Sequence, residues 1–268
     1  MRQLLTLCGM IMLGVTLVGC AKEQPADSPA ATIVTLEEAV QQAILQQGSS
    51  YLAGEVATEG HEILEIVEDD TSTTVYAIAS FGFFAFENGI FTKISGSGDI
   101  PTVLVFSRDE SDVYQLLEYQ EPEDGSNYET SIKEMFPQHL WGRVLSSAGS
   151  ASDLLAQQEA QARAYLDSIG RQGEVQGDYV EKQLLEIDVE ASNKLFAEYS
   201  KEDAFLNNCP YWIGTRETIE DGQRYIYATS QSKDQEGYDL VIYKKTDDSG
   251  KVVEERTYQI VGSDVRLL

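Results

Sequence analysis

His61 and His139 are the only two imidazoles in the chain, and Cys209 is the only thiol beyond residue 20. These three, with Ser230 and Lys233, are the side chains from which hydrolytic or acyl-transfer chemistry would have to be built. Zinc hydrolysis asks for two histidines one helical turn apart, with a glutamate beside the first as general base. The nearest string is His61-Glu62-Ile63-Leu64-Glu65, with glutamate where the second histidine belongs. It also lies in a strand pattern, which predicts His61 and Glu65 on one face and Glu62 on the other. Serine acylation asks for Ser-x-x-Lys opening a helix. Ser230-Gln231-Ser232-Lys233 matches the letters but reads as a polar hairpin loop, and Lys245-Thr246-Asp247 lacks the glycine of a Lys-Thr-Gly strand. Cys209, in Asn207-Asn208-Cys209-Pro210-Tyr211-Trp212, reads as a buried small apolar residue, and His139, in Pro137-Gln138-His139-Leu140-Trp141, as a helix-end surface group. Asp and Glu together number 45, too many for any pair to signal catalysis by itself. No glycine-rich phosphate loop opens a helix after a strand. The expectation is a protein that is not an enzyme, with no cofactor and no metal.

The first residues decide where such a protein would work. Arg2 is the only charge of a leader whose apolar run ends in Leu17-Val18-Gly19-Cys20. This is the lipobox pattern of a bacterial lipoprotein signal, in which residues 1–19 are removed and the Cys20 thiol carries palmitate or a similar acyl chain. The apolar run is short for a membrane span, and a polar, proline-bearing tether over residues 20–33 follows at once. The expectation is a body on the outer face of the cytoplasmic membrane, in the cell envelope, held by its lipid.

The charge agrees with an exterior setting. It is −26 over the whole chain and −27 once Arg2 has left with the leader. So acidic a body repels nucleic acid and anionic headgroups alike, leaving the lipid at Cys20 as the membrane contact. With Cys8 in the leader and Cys20 acylated, Cys209 has no intramolecular partner, so no disulfide framework exists.

About 249 residues remain to fold. Thr35-Leu36-Glu37-Glu38 has the form of a capping box, and Leu36, Val40, Ala43 and Ile44 make one apolar stripe behind it. Strands follow around 63–67, 74–86, 102–106 and 114–119, with turns at Glu68–Thr71, at Asn88-Gly89 and over 107–112. Pro122-Glu123-Asp124-Gly125 breaks the sheet before a short helix near 131–136 and a longer one that Gly170 stops. A second helix-then-strands run covers a helix near 189–199 and strands at 211–217, 224–229, 238–244 and 251–260. The fold class expected is α+β, with two domains, 34–172 and 173–268. Each would pack a helix on an antiparallel meander sheet, in the layout of cystatin-like or NTF2-like folds.

Scattered motifs carry a family resemblance over residues 35–170. They are Gly54-Glu55-Val56-Ala57, Glu59-Gly60-His61, Thr74-Val75-Tyr76, Phe86-Glu87-Asn88-Gly89, Ser95–Gly98, Ile100-Pro101-Thr102, Tyr119, Pro122–Gly125 and Ile132–Pro137, with looser likeness at Cys209–Gly214 and Arg224–Thr229. Together they resemble the extracytoplasmic C-terminal region of clostridial BlaR/MecR-type antirepressor proteins, where that region follows a membrane-embedded zinc peptidase. The resemblance implies a stand-alone, lipid-anchored relative of a sensor-side module, accessory to a membrane sensor protein, without the peptidase. Two other readings stand beside it. One is a small-ligand carrier or isomerase-like pocket floored by Phe81, Phe83, Phe84 and Phe86; the other is a cystatin-like inhibitor whose exposed tip would be Asn88-Gly89.

Overall fold

The computed structural model describes residues 35–48, 51–108, 113–146, 151–178 and 180–268. The lipobox, Cys20 and the tether lie outside the described residues, as does most of the small-residue joint at 146–150. What is described is mixed α+β, with a mostly antiparallel sheet and six α-helices among the described residues.

Helix α1 (Leu36–Gln47) opens on the expected capping box. Thr35 Oγ1 accepts from the Glu38 N–H at 3.2 Å, and the Glu38 carboxylate accepts from the Thr35 N–H at 2.8 Å. Strands β1 (Val56–Glu68) and β2 (Ser72–Glu87) form a long hairpin. β3 (Ile90–Gly96) returns through Asn88-Gly89, whose φ values of 52° and 80° are those that an Asn-Gly hairpin turn requires. β4 (Ile100–Arg108) pairs with the first half of β2, and β5 (Tyr114–Gln120) pairs with β4.

Both faces of this first sheet are covered, rather than the single face the sequence suggests. α1 packs on Val75, Ala77, Ala79, Phe81, Leu104 and Phe106. The opposite face carries α2 (Tyr128–Met135) and α3 (Trp141–Leu145) on Ile78 and Val103, and then α4 (Ala151–Ser168) on Phe84, Phe86 and Phe91. The consecutive aromatics Phe83 and Phe84 therefore both meet apolar neighbours, one on each side.

After Gly173 the chain adds β6 (Glu174–Gln176) in parallel to β3, so these residues still belong to the first sheet although they lie past the expected boundary. The helix expected over 189–199 is broken into α5 (Val189–Asn193), a π-turn (Lys194–Glu198) and a 3-10 turn (Tyr199–Lys201), followed by α6 (Ala204–Asn208). Short β7 (Gln183–Leu184) pairs with β8 (Trp212–Glu220). β8 starts an antiparallel meander through β9 (Gln223–Lys233), β10 (Asp239–Asp247), β11 (Val252–Val261) and β12 (Asp264–Leu267). The helical segments close over Tyr227, Val241, Tyr243, Tyr258 and Ile260, a core separate from those of the first sheet. One residue pair, Glu87 with Arg216, joins β2 to β8.

Candidate functional site

The structure disperses the residues that resembled hydrolytic motifs. A register shift between Ile63 and Glu65 turns Glu65 to the same side as Glu62, away from His61, and so overturns the alternation expected for this string. Glu62 and Glu65 instead pair with Arg143 and His139 on the α2–α3 side. Ser230 and Lys233 lie within β9, Ser230 opposite Ile242, and not in a loop. Cys209 is buried in the second core, and burial pushes its thiol up to about 12, which keeps it protonated. Among the described residues no group of three or more His, Cys, Asp or Glu is placed to hold a metal ion.

His61 instead belongs to a buried polar clamp. Its Nδ1 stands 2.7 Å from Glu59 Oε2, both side chains being nearly inaccessible. Nε2 stands 3.0 Å from Glu37 Oε1 without the alignment of a hydrogen bond, so Glu37 acts on it chiefly as a charge. Burial works against the imidazolium, but the bond and charge of Glu59 and the charge of Glu37 outweigh it, and the His61 pKa is raised.

Gln157 and Gln161, one turn apart on α4, finish the clamp by treating β1 as a neighbouring strand would. Gln161 donates to Glu59 O at 2.8 Å and accepts from Glu59 N at 3.0 Å. Gln157 does the same for His61, both bonds at 3.1 Å. The spacing matches: four helical residues rise about 6 Å, two strand residues about 6.8 Å. Gly60, between the two, is required by the approach of α4, because a Cβ there would lie 2.3 Å from Leu154 O.

Among the described residues a cavity under α1 is small. It encloses about 110 Å³ between Ile44, Tyr51, Phe81, Ser97, Tyr119 and Glu121. That is the liquid volume of about four waters. Of the four phenylalanines expected to floor a ligand pocket, only Phe81 lines it; Phe84 and Phe86 fill the core on the other face.

The larger cavity, about 460 Å³, opens where β8 parts from β2. β1 and β8 share one edge of β2, β1 as far as Val56 opposite Phe84 and β8 at Glu87 only. The lead-in to β1 (Leu52–Glu55) and residues Arg216–Glu220 of β8 diverge from there, with Ala85 at the base and Ile94 at the side.

Buried ion pairs hold the fork in shape. Glu55, whose side chain is only 3% exposed, accepts two bonds from Arg224 at 2.7 and 2.5 Å, and a third from the Tyr165 hydroxyl at 3.2 Å. The bond to Glu55 raises the Arg224 pKa against the cost of burial. Arg224 reaches on to Glu217 at 3.0 Å, and Arg171 meets Glu217 at 2.7 Å while lying 3.7 Å over the Phe86 ring. On the other side Glu87 takes Lys182 at 2.7 Å and, more loosely, Arg216 at 3.5 Å, both cations flanking the Trp212 ring. Asn88 is part of this joint: its N–H donates to Thr215 O and its Oδ1 accepts from Thr215 N. It is therefore not a free inhibitory tip.

Compared with protein-family models, with curated proteins and with solved structures, the chain matches none. Of the residues that build the fork, Arg216, Glu217 and Arg224 were in view as strand positions, and Glu55, Glu87 and Arg224 as parts of the family likeness. Nothing in their spacing said that they meet. The glutamine face of α4, Gln157 and Gln161, was a legible signal of helical period that had no motif to name it.

Proposed function

We propose that this protein is an extracytoplasmic lipoprotein, acylated at Cys20 and held at the outer face of the bacterial cytoplasmic membrane, that serves without catalysis as a binding module accessory to a membrane sensor. The observation that carries the binding reading is the cavity of about 460 Å³ at the β8 fork. It lies in the size range of sites that enclose a ligand or a short segment of a partner, and rigid ion-paired walls lower the cost of binding. The lipobox supports the location, and the resemblance to BlaR/MecR-type sensor regions supports the accessory role. We further propose two domains of cystatin-like or NTF2-like layout that part after β6 rather than at residue 173, which would make the fork an interdomain site.

The small-ligand pocket under the phenylalanines has little room at about 110 Å³, and the inhibitor reading loses its tip to Thr215. The test is photo-crosslinking in cells, with a photoreactive residue at Thr218 in the cleft or at Glu255 in β11, three strands away. A membrane-protein adduct formed from position 218 and absent from 255 supports the proposal. No adduct, or equal adducts from both, refutes it. Fractionation of Cys20→Ala tests the location: the variant should be uncleaved or shed, and a processed, detergent-extracted product would refute the lipid anchor.

A further inference from the structure

Two of the strand edges among the described residues, those of β1 and β8, are treated differently. At Glu59 and His61 the outer edge of β1 is closed by the side chains of Gln161 and Gln157, as a strand would close it. The outer edge of β8 is closed only as far as Glu87: Thr215 exchanges bonds with Asn88, Arg216 pairs with Glu87, and no strand lies beyond Glu217–Glu220 on that side among the described residues. In an antiparallel ladder alternate residues turn both backbone polar groups to the same edge. Thr215 faces outward to Asn88, so Glu217 and Ile219 face outward too. The tight turn at Asp221-Gly222 agrees, since it makes Glu220 and Gln223 an inward, hydrogen-bonded pair. The N–H and C=O of Ile219 therefore look into the cleft, and a donor and an acceptor so spaced are complementary to another backbone.

We propose that this edge receives an extended, cationic segment of a partner polypeptide as an added β-strand, with the side chains of Leu52, Ile94 and Ile219 holding its alternate residues. The inference rests on reading the cleft as the binding site. Four residues of edge, Glu217–Glu220, span about 13 Å. Leu52 and Ile219 are 65% and 46% exposed, apolar surface of the kind that such a strand would cover. The segment carries neither proline nor lysine, devices that commonly blunt an edge. Glu55, Glu217 and Glu220 line the cleft but are already paired with Arg224, Arg171 and Lys245, so it is the net charge of −26 that steers basic chains toward it while repelling a second copy of this one.

The test uses the full chain in detergent and a fluorescein-labelled acetyl-(Val-Lys)3-amide peptide. Its (Val-Glu)3 counterpart and two (Val-Lys)3 peptides N-methylated at alternate residues, one in each phase, serve as controls. The lysine peptide should bind, more weakly as salt rises. One N-methylated phase should lose about tenfold or more for each hydrogen bond removed, and the other phase much less. Ile219→Pro should weaken binding about tenfold with little change in urea midpoint, because the N–H it deletes lies outside the β9 ladder. If the proline variant does not fold, the N-methylated pair on the unaltered protein decides alone. Equal binding of the glutamate peptide, indifference to both N-methyl phases, no binding at all, or dimerisation through this edge overturns the proposal. If the cleft still crosslinks a membrane protein from position 218 while no peptide binds, strand addition fails and the binding reading survives.

Discussion

Arg224→Ala is the substitution that most directly tests whether the buried ion pair holds the fork. Glu55 is 3% exposed and gives both oxygens to the Arg224 guanidinium, 169 residues away in sequence. Without Arg224 its carboxylate keeps only the Tyr165 hydroxyl at 3.2 Å. Removing one partner of a buried pair costs about 3–5 kcal/mol, because the charge left behind has lost both water and counter-ion. Tyr165 remains, and Glu217 keeps Arg171, so the lower end applies: about 3 kcal/mol. Urea unfolding followed by far-ultraviolet dichroism and by the fluorescence of Trp141 and Trp212 should show the midpoint falling by about 1 M or more. Adding Glu55→Gln should restore about half of the loss, since the unpaired charge is then gone. A loss under about 1 kcal/mol, the value of a solvated surface pair, would refute the reasoning and mean that water reaches Glu55.

His61 has a raised pKa in the folded state, so its contribution to stability is complete below about pH 6.5, the unfolded value, and is lost as pH rises through the folded pKa. Urea midpoints should therefore decline from weakly acidic to weakly alkaline pH, and His61→Gln should flatten that slope; an unchanged slope would refute the clamp's charge state. Gly60→Ala drives a Cβ to 2.3 Å from Leu154 O, which should force α4 outward and cost about 1–3 kcal/mol, read as a lower urea midpoint. Cys209, with its thiol at about 12, should resist alkylation at pH 8 in the native protein and react fully in denaturant; rapid native labelling would contradict its burial.

What the sequence determined by itself is local in range. Thr35 and Glu38 cap α1 because their groups lie three residues apart, and Asn88-Gly89 turns the chain because those two residues tolerate positive φ. Alternation of apolar residues placed most strands of both sheets, because the pleat imposes a period of two on whatever it buries. The tertiary structure decided the rest. One extra residue between Ile63 and Glu65 reversed the faces that the alternation implied, and no letter in the string marks the shift. Ser230–Lys233 reads as polar loop but is held in β9 by the ladder to β10, since pairing on an edge-on sheet face outweighs weak strand propensity. Glu55, Arg171, Glu217 and Arg224 became one cluster, and Glu87, Lys182 and Arg216 another, only when β8 was laid against the end of β2. Attraction between such charges falls off with distance in space and carries no trace of separation along the chain, so the fork they hold open existed only once the chain had folded.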